Sequence, residues 1–241
     1  MKRRRLGQHY LVDRGVVKRI LDLACIQDGE RVLEIGTGKG VLTTELARIS
    51  SNVEAYEVDR QNYLATRRRV DVSRVQLHPE DAFQAKPLFD VLVSSLPYSQ
   101  SAGFIEWLSG MTYNRGIVIL QEDFVQKITA KPGSKNYRGI SVLAQISAEI
   151  VPRDRVERAS FSPPPRVDSR LVFLRPRTRL EKTEIISIKR LFSLRRRRLL
   201  SAARTFGMDS KLVQSYAVDL RVYQLTPHQV HELVKLSLGA G

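Results

Sequence analysis

The sequence predicts an α/β protein in which a mostly parallel sheet carries helices on both faces and a small helical domain follows. Three observations support this prediction. Short apolar runs alternate with segments of helical periodicity. A glycine-rich turn follows the first apolar run, and an acidic side chain comes about 20 residues later, at the end of the second. The strand signals stop near Pro176, beyond which only helical patterns continue.

The first domain is assigned to residues 1–176. A basic arm with Arg3, Arg4 and Arg5 precedes a helix that Asp13 can cap. Five apolar runs predict strands at residues 31–35, 53–59, 75–78, 91–94 and 116–120, and a later strand is predicted at 169–174. Helices are predicted between the strands, including one at 41–47 and a basic helix through 67–69. This alternation is typical of a parallel sheet.

The remaining residues, 177–241, are predicted to form a small basic helical domain. A helical period begins near Ile188 and stops at Gly207. A further helix is predicted after Thr226, which can cap it ahead of a proline, with Gln229 placed for a capping box. This tail holds 13 basic and five acidic residues and so carries +8 of the net charge of +15. We expect it to bind RNA.

Charge and cysteine content narrow the class of protein. The chain has 40 Lys and Arg against 25 Asp and Glu. Such an excess of positive charge attracts polyanions, of which nucleic acid is the usual one. The alternative is a charged surface that contacts only water. A lone cysteine, Cys25, excludes an internal disulfide and a cysteine-rich zinc site, and its apolar neighbours predict a buried side chain. No metal is expected. Neither a membrane helix nor a secretory signal is evident, so a cytoplasmic protein is expected.

A turn suited to ligand binding follows the first strand. Residues 34–40 read Glu-Ile-Gly-Thr-Gly-Lys-Gly, and glycines let a ligand approach the backbone closely. The spacing differs from the dinucleotide fingerprint, and the residue after Lys39 is not the Ser or Thr of a Walker A loop. Glu57 or Asp59, after the second strand, suits a ribose diol, with Asp59 favoured as a helix cap. Asp81, after the third strand, suits an adenine amino group.

The four residues 95–98 follow the fourth strand and suit a planar amine. An aryl amine is a poor nucleophile because its lone pair is delocalised into the ring, so it must be held by hydrogen bonds. Ser95 offers a hydroxyl, Leu96 offers its carbonyl, and Pro97 stiffens the loop. Tyr98 offers a stacking face worth roughly 1–3 kcal/mol per base. Glycine turn, ribose acid, adenine acid and amine motif occur in the order typical of S-adenosylmethionine-dependent methyltransferases.

Several stretches together carry a family resemblance: residues 7–11, 34–40, 57, 80–82, 95–98, 120–121, 133–137, 141–145 and 161–169. The last, Phe-Ser-Pro-Pro-Pro-Arg-Val-Asp-Ser, is the most specific. On these stretches nearly the whole chain resembles the ribosomal RNA adenine dimethyltransferases of the KsgA type. The resemblance implies a Rossmann-like methyltransferase sheet, S-adenosyl-L-methionine as cofactor, RNA of the small ribosomal subunit or its precursor as partner, and a monomer.

The resemblance also implies roles for individual residues. Cofactor contacts are expected from His9, Leu11, Gly36, Gly38, Glu57, Asp81 and Ser95. The target base, flipped out of the RNA, is expected to stack on Tyr98. Residues 161–165 are expected to line its pocket, with Phe161 as a second stacking face. The alternative for residues 161–165 is a rigid polyproline connector. The family has a basic helix in its small domain, which is matched here by Arg195, Arg196, Arg197 and Arg198. These arginines are expected to contact RNA phosphates; a helix face that contacts only water is the alternative.

Three residues depart from the family's usual pattern. Ser95 stands where the amine motif usually begins with Asn, and His9 and Glu122 stand where Asn and Lys are more frequent. Because serine accompanies cytosine N4 in the analogous motif of DNA amino-methyltransferases, (di)methylation of cytidine N4 is slightly favoured over dimethylation of adenosine N6. Direct in-line transfer is expected in either case, since Cys25 is far from the amine motif in sequence. A non-catalytic ribosome-assembly factor is the third interpretation, and the intact cofactor residues oppose it.

Overall fold

The computed structural model describes residues 8–206, residue 213 and residues 219–239. The chain divides into two units, which we describe separately. The sheet unit consists of residues 8–104, Thr112–Val125 and Val151–Pro176. The helical unit consists of Ile105–Met111, Gln126–Ile150 and the described residues from Arg177 onward. Some residues that entered the predictions lie outside the described residues: Arg3, Arg4, Arg5, Gly7 and Gly207.

The division of the chain does not follow a single cut at Pro176. Two earlier segments, Ile105–Met111 and Gln126–Ile150, belong to the helical unit. This structural division does not tell which residues act on which ligand. It stays a prediction that residues 1–176 bind the cofactor and catalyse transfer, and that residues 177–241 bind RNA.

Strands of the described residues are β1 (Tyr10–Leu11), β2 (Val32–Ile35), β3 (Val53–Tyr56), β4 (Val75–His78), β5 (Val91–Ser95), β6 (Arg115–Gln121), β7 (Ala148–Val156), β8 (Phe161–Ser162) and β9 (Ser169–Pro176). Seven of them form one sheet in the order β4-β3-β2-β5-β6-β9-β7. The first five strands in this order pair in parallel, whereas β9 is antiparallel to β6. The predicted α/β sheet is thereby confirmed, with β7 as an additional edge strand.

Helices of the described residues are α1 (Arg14–Ala24), α2 (Val41–Ile49), α3 (Arg60–Arg67), α4 (Ser101–Leu108), α5 (Glu122–Ile128), α6 (Gly139–Ser147), α7 (Lys182–Ser193), α8 (Leu199–Thr205) and α9 (Pro227–Gly239). Within this described part, no helix is both long and apolar enough to cross a bilayer. The parallel strands lie inside the sheet unit, and β2 is buried at all four of its positions.

Helix α1 begins and ends through local chemistry. The Asp13 side chain accepts hydrogen bonds from the backbone N–H groups of Gly15 and Val16, as the sequence predicted. The helix ends at Cys25, which adopts the left-handed conformation with φ of 44°. The prediction that Cys25 is buried was wrong, because this capping position turns its side chain to the exposed surface.

A two-stranded antiparallel sheet, which the sequence did not reveal, fixes residues near the N-terminus. In it Tyr10 lies opposite Ser162, and Leu11 lies opposite Phe161. The Val12 N–H donates to the Ser160 carbonyl at 2.9 Å. These contacts hold residues 8–12 at the edge of the sheet unit where its cavity lies.

The helical unit packs α6, α7, α8 and α9 around its own apolar core. Tyr137 is fully buried there, and its hydroxyl donates to the Leu225 carbonyl at 3.0 Å. The predicted capping box at Thr226 and Gln229 is confirmed by two reciprocal hydrogen bonds. The predicted helical period from Ile188 is interrupted, because α7 ends at Leu194 and a turn separates it from α8.

Candidate active site

A cavity of about 290 Å³ lies where β2, β3 and β5 end. Ligands of open parallel sheets bind at the carboxyl ends of their strands. All seven residues predicted to contact the cofactor line this one cavity: His9, Leu11, Gly36, Gly38, Glu57, Asp81 and Ser95. Leu96 and Pro97 of the amine motif line it as well.

The glycine turn is shaped by two close approaches. Gly38 has a φ of 55°, and a Cβ atom built there would lie 3.0 Å from the Tyr10 ring. Gly40 has a φ of 76°, and its Cβ atom would lie 3.1 Å from the Thr66 Cα atom. The buried Thr66 hydroxyl also contacts the Thr37 hydroxyl at 3.0 Å and the Gly38 carbonyl at 3.2 Å. Helix α3 thus holds the turn in place through Thr66, a contribution that sequence reasoning missed.

Glu57 joins the glycine turn to the loop after β3. One carboxylate oxygen accepts the Gly38 N–H and the other accepts the Asp59 N–H, both at 2.8 Å. Burial raises the pKa of Glu57. Each oxygen has a second lone pair, so the carboxylate can still accept from the two hydroxyls of a ribose. Asp59 caps α3 by accepting from Gln61 and Asn62, as predicted.

Glu34 is a second acid of the cavity, and sequence reasoning assigned it no role. It lies within β2, lines the cavity and is only 1% exposed. Burial, together with a smaller effect of the nearby Glu57 carboxylate, raises its pKa to about 8. Its Oε2 atom has no hydrogen-bond partner among the described residues. The sequence signal was an acid inside an otherwise apolar strand.

The far wall of the cavity combines Asp81 with apolar side chains. The Asp81 carboxylate accepts the Phe83 N–H at 2.9 Å, which fixes the turn after β4. Val58 and Phe83 line the same cavity, and Val58 is 61% exposed although it is apolar. A flat heterocycle can be covered by such side chains while its amino group faces Asp81. Sequence reasoning missed Val58 and Phe83.

Tyr98 lies next to the cavity but is not one of the residues that line it. Its hydroxyl lies 2.7 Å from the Ser169 hydroxyl, and burial raises its pKa. The His9 ring lies 5.5 Å from the Tyr98 ring, centre to centre, tilted by 32°. Phe161, by contrast, is 4% exposed and packs in the core of the sheet unit. This burial does not fit the predicted use of Phe161 as a second stacking face.

The four arginines at residues 195–198 do not form a helix, which corrects the sequence interpretation. They occupy the turn between α7 and α8, because Leu194 caps the first helix and Arg198 caps the second. Partial burial and the charges of Arg138 and Arg196 lower the pKa of Arg195. Arg221 donates to the Arg196 carbonyl. Arg138 and Arg221 therefore join this basic cluster of the helical unit.

The residues of the cavity fit S-adenosyl-L-methionine. The bare backbone at Gly38 leaves room that a side chain would fill, and Glu57 and Asp81 supply acceptors at two separate places. Fold and cavity together define the class of Rossmann-like methyltransferases that use this cofactor.

Comparisons with known proteins agree. The sequence pattern described as ribosomal RNA adenine dimethylase matches residues 1–237. The chain therefore belongs to the ribosomal RNA adenine dimethylase family and is an rRNA methyltransferase that uses S-adenosyl-L-methionine.

Individual relatives extend over nearly the full chain. The chain is 34% identical over 242 residues to a probable ribosomal RNA small subunit methyltransferase A of Thermococcus gammatolerans, covering 95% of this chain and 87% of the relative. It is 32% identical over 236 residues to the ribosomal RNA small subunit methyltransferase A of Thermotoga petrophila, with coverages of 95% and 89%. A crystal structure of a dimethyladenosine transferase from Plasmodium falciparum matches with a TM-score of 0.80, 22% identity and coverages of 93% and 96%. At that identity the structural match shows the shared fold.

Proposed function

We propose that the protein transfers methyl groups to the N6 amine of adenosine in small-subunit rRNA, in two successive steps. The observation that carries this proposal is the amine motif, Ser95 to Tyr98, at the edge of a methyl-donor cavity in a chain of the adenine dimethylase family. The names of the relatives from Thermococcus gammatolerans and Thermotoga petrophila support the small subunit as the source of the RNA.

The cavity residues would hold the methyl donor. The backbone at Gly36 and Gly38 would lie against it, Glu57 would accept from its ribose hydroxyls, and Asp81 would accept from its adenine amine. His9 and Leu11 close the cavity from the paired segment near the N-terminus. When bound, S-adenosyl-L-methionine supplies an activated methyl group on a positively charged sulfur.

The amine motif orients the nucleophile. The Ser95 hydroxyl and the Leu96 carbonyl would accept hydrogen bonds from the target amine and so would orient its nitrogen lone pair for transfer. Flipping the base out of its stack costs a few kcal/mol, which stacking on Tyr98 offsets. Phe161 is left out of this mechanism because its ring is covered.

A covalent intermediate on Cys25 is not part of the proposed mechanism, because this cysteine lies away from the amine motif. Its carbonyl accepts from Arg115, the first residue of β6, at 2.9 Å. Ser95 lies opposite Ile119, four residues further along the same strand. At about 3.3 Å per residue, Arg115 and Ile119 are roughly 13 Å apart along β6, so Cys25 contacts the end of this strand that is opposite to the amine motif. We therefore propose direct transfer.

RNA phosphates would be bound by basic side chains. In the helical unit we assign this to the cluster of Arg138, Arg195, Arg196 and Arg221. Arg197 extends the turn, whereas Arg198 is partly engaged with Asp219 at 3.8 Å. The basic arm, Arg3, Arg4 and Arg5, would add charge at the other end of the chain. Phosphate contacts give affinity without selecting a sequence.

Cytidine N4 is the second candidate target, and Ser95 is the observation that favours it. Adenosine is preferred here because the family match and the relatives support it and nothing in them supports cytidine. Both bases present an amine beside a ring nitrogen, so Ser95 can accept from either. A purely non-catalytic assembly factor is disfavoured, since such a protein has no need of the cavity residues that this chain retains.

Mass spectrometry of rRNA nucleosides from cells with and without the gene tests the proposal. Loss of N6,N6-dimethyladenosine in the deletion supports it, whereas loss of an N4-methylated cytidine transfers the assignment to the second candidate. Complementation with Ser95→Ala and Tyr98→Ala should leave the nucleoside largely absent. Full modification by both variants would refute the proposed amine site.

A further inference from the structure

The hydroxyl of Tyr98 is occupied by a partner in the protein. It lies 2.7 Å from the hydroxyl of Ser169, the first residue of β9, which is fully buried. Ser169 lies opposite Gln121 in the sheet, so its position is fixed by strand pairing. The phenol of Tyr98 is thus tied to a rigid element, and its ring remains as the part that can meet a base.

A second contact steadies the Tyr98 ring. The His9 ring lies 5.5 Å away. The His9 Nδ1 atom lies 2.7 Å from the Pro163 carbonyl oxygen, and because a carbonyl only accepts, Nδ1 carries the hydrogen. The orientation of the His9 ring is therefore set by the backbone of Pro163.

Pro163 and Ser169 belong to one stretch, residues 160–169, which we call the bracket. At its start, the Ser160 carbonyl accepts from Val12 and the Ser160 hydroxyl donates to Asp13 at 2.8 Å. At its end, the Asp168 carboxylate pairs with Arg155 and accepts the Arg158 N–H. Hydrogen bonds hold the bracket at both ends. They therefore fix the positions of two of its groups, the Pro163 carbonyl and the Ser169 hydroxyl.

We propose that Ser169 and His9 are positioning residues that hold the Tyr98 ring as a preformed stacking surface for the target base. This inference rests on the proposed function. It assigns a task to the most specific stretch of the sequence: the bracket sets the angle of Tyr98 and does not itself stack on the base. His9, which lines the cofactor cavity, links that cavity to the base-stacking ring.

A double-mutant cycle tests the bond between Ser169 and Tyr98. The substrate is the small ribosomal subunit from cells that lack the gene, and transfer is followed with tritium-labelled S-adenosyl-L-methionine. Ser169→Ala and Tyr98→Phe should each lower kcat for RNA by about 3- to 10-fold, the effect of one lost hydrogen bond. The double variant should lose no more than either single one. Additive losses, or a Ser169→Ala variant as active as wild type, would overturn the role of Ser169.

A readout without turnover tests the same geometry. In protein labelled with fluorotyrosine, the Tyr98 fluorine signal is assigned by its loss in Tyr98→Phe. Ser169→Ala and His9→Asn should shift or broaden this signal. Ser73→Ala removes a hydroxyl bond of the same length, 2.7 Å to Asp71, on the exposed surface and should leave the signal unchanged. An unmoved Tyr98 signal in both test variants would refute the proposal.

The outcomes separate this inference from the proposed function. If wild-type protein transfers no methyl group to the subunits, the proposed function fails. If wild type is active and Tyr98→Ala is also fully active, the stacking role of Tyr98 fails. If Tyr98→Ala loses activity while Ser169→Ala, His9→Asn and wild type are equal, only the positioning inference fails. Melting temperatures and the dissociation constant for S-adenosyl-L-methionine are measured for every variant, so that unfolding or cofactor loss is recognised.

Discussion

Replacing Glu34 by glutamine should change how the stability of the protein depends on pH. Glu34 is buried and its pKa is raised from 4.5 to about 8. Between these values the unfolded chain releases the proton while the folded protein keeps it. The contribution of Glu34 to stability is therefore greatest below about pH 4.5, falls as the pH rises, and reaches its lower level above about pH 8. Glutamine at this position cannot ionise, so the variant should escape this loss.

The magnitude follows from the shift in pKa. Each pH unit inside the interval removes about 1.4 kcal/mol of unfolding free energy. Between pH 5 and pH 8, the stability of Glu34→Gln should thus rise relative to wild type by about 4 kcal/mol. A constant offset from burying the amide is the same at every pH and drops out of this difference.

Urea unfolding of both proteins at several pH values between 5 and 8 measures the effect. The control is Glu157→Gln, the same substitution at an exposed position of the sheet unit, and its difference from wild type should not grow with pH. A difference between Glu34→Gln and wild type that stays constant to within 1 kcal/mol over this range would refute the reasoning, since it would mean that Glu34 does not keep its proton when buried.

Three further changes have defined outcomes. Thr66→Val keeps the shape but removes the hydroxyl that holds the glycine turn, so calorimetry should find S-adenosyl-L-methionine bound about 3- to 10-fold more weakly; unchanged affinity would contradict this. Gly40→Ala should lower the unfolding free energy by about 2–4 kcal/mol, since its Cβ atom meets a backbone atom, while Gly29→Ala, with similar φ but open space, should lose only about 1–2 kcal/mol. Arg31 lowers the pKa of Asp90 to about 2, so Asp90→Asn should lower the unfolding free energy at pH 7 by about 1 kcal/mol, a value reduced for solvent screening. This difference from wild type should vanish as the pH falls from about 4 to 2. A difference in urea unfolding that does not depend on pH would contradict the prediction.

The inner parallel strands β2, β5 and β6 were predictable because nearly all of their residues are buried. β2 and β5 are continuous apolar runs, broken only by Glu34 and by serines at the end. β7 was missed for the opposite physical reason. It lies at the edge of the sheet, and most of its residues are exposed or half-buried, including Pro152 and charged side chains. Edge strands carry such residues, which hide the alternating pattern of a strand.

The cavity was predictable to the extent that its chemistry sits on strand ends. Gly38, Glu57 and Asp81 each follow an apolar run, so sheet geometry alone brings them together. The support behind them was not predictable, because the contact between Tyr98 and Ser169 joins residues 71 positions apart. The arginine turn at 195–198 was misread because arginine is a good helix former, and nothing local marks Leu194 as a helix end.

The pairing of β1 with β8 has a consequence for the order of synthesis. Ser162 is made about 150 residues after its partner Tyr10, which at 5–20 residues per second takes roughly 8–30 s. Until then the nascent chain has a glycine turn and its acids but no wall formed by residues 8–11. The growing protein should therefore acquire its full affinity for S-adenosyl-L-methionine only after Ser162 has been made, which delays loading of the methyl donor until all the parallel strands of the sheet have been made.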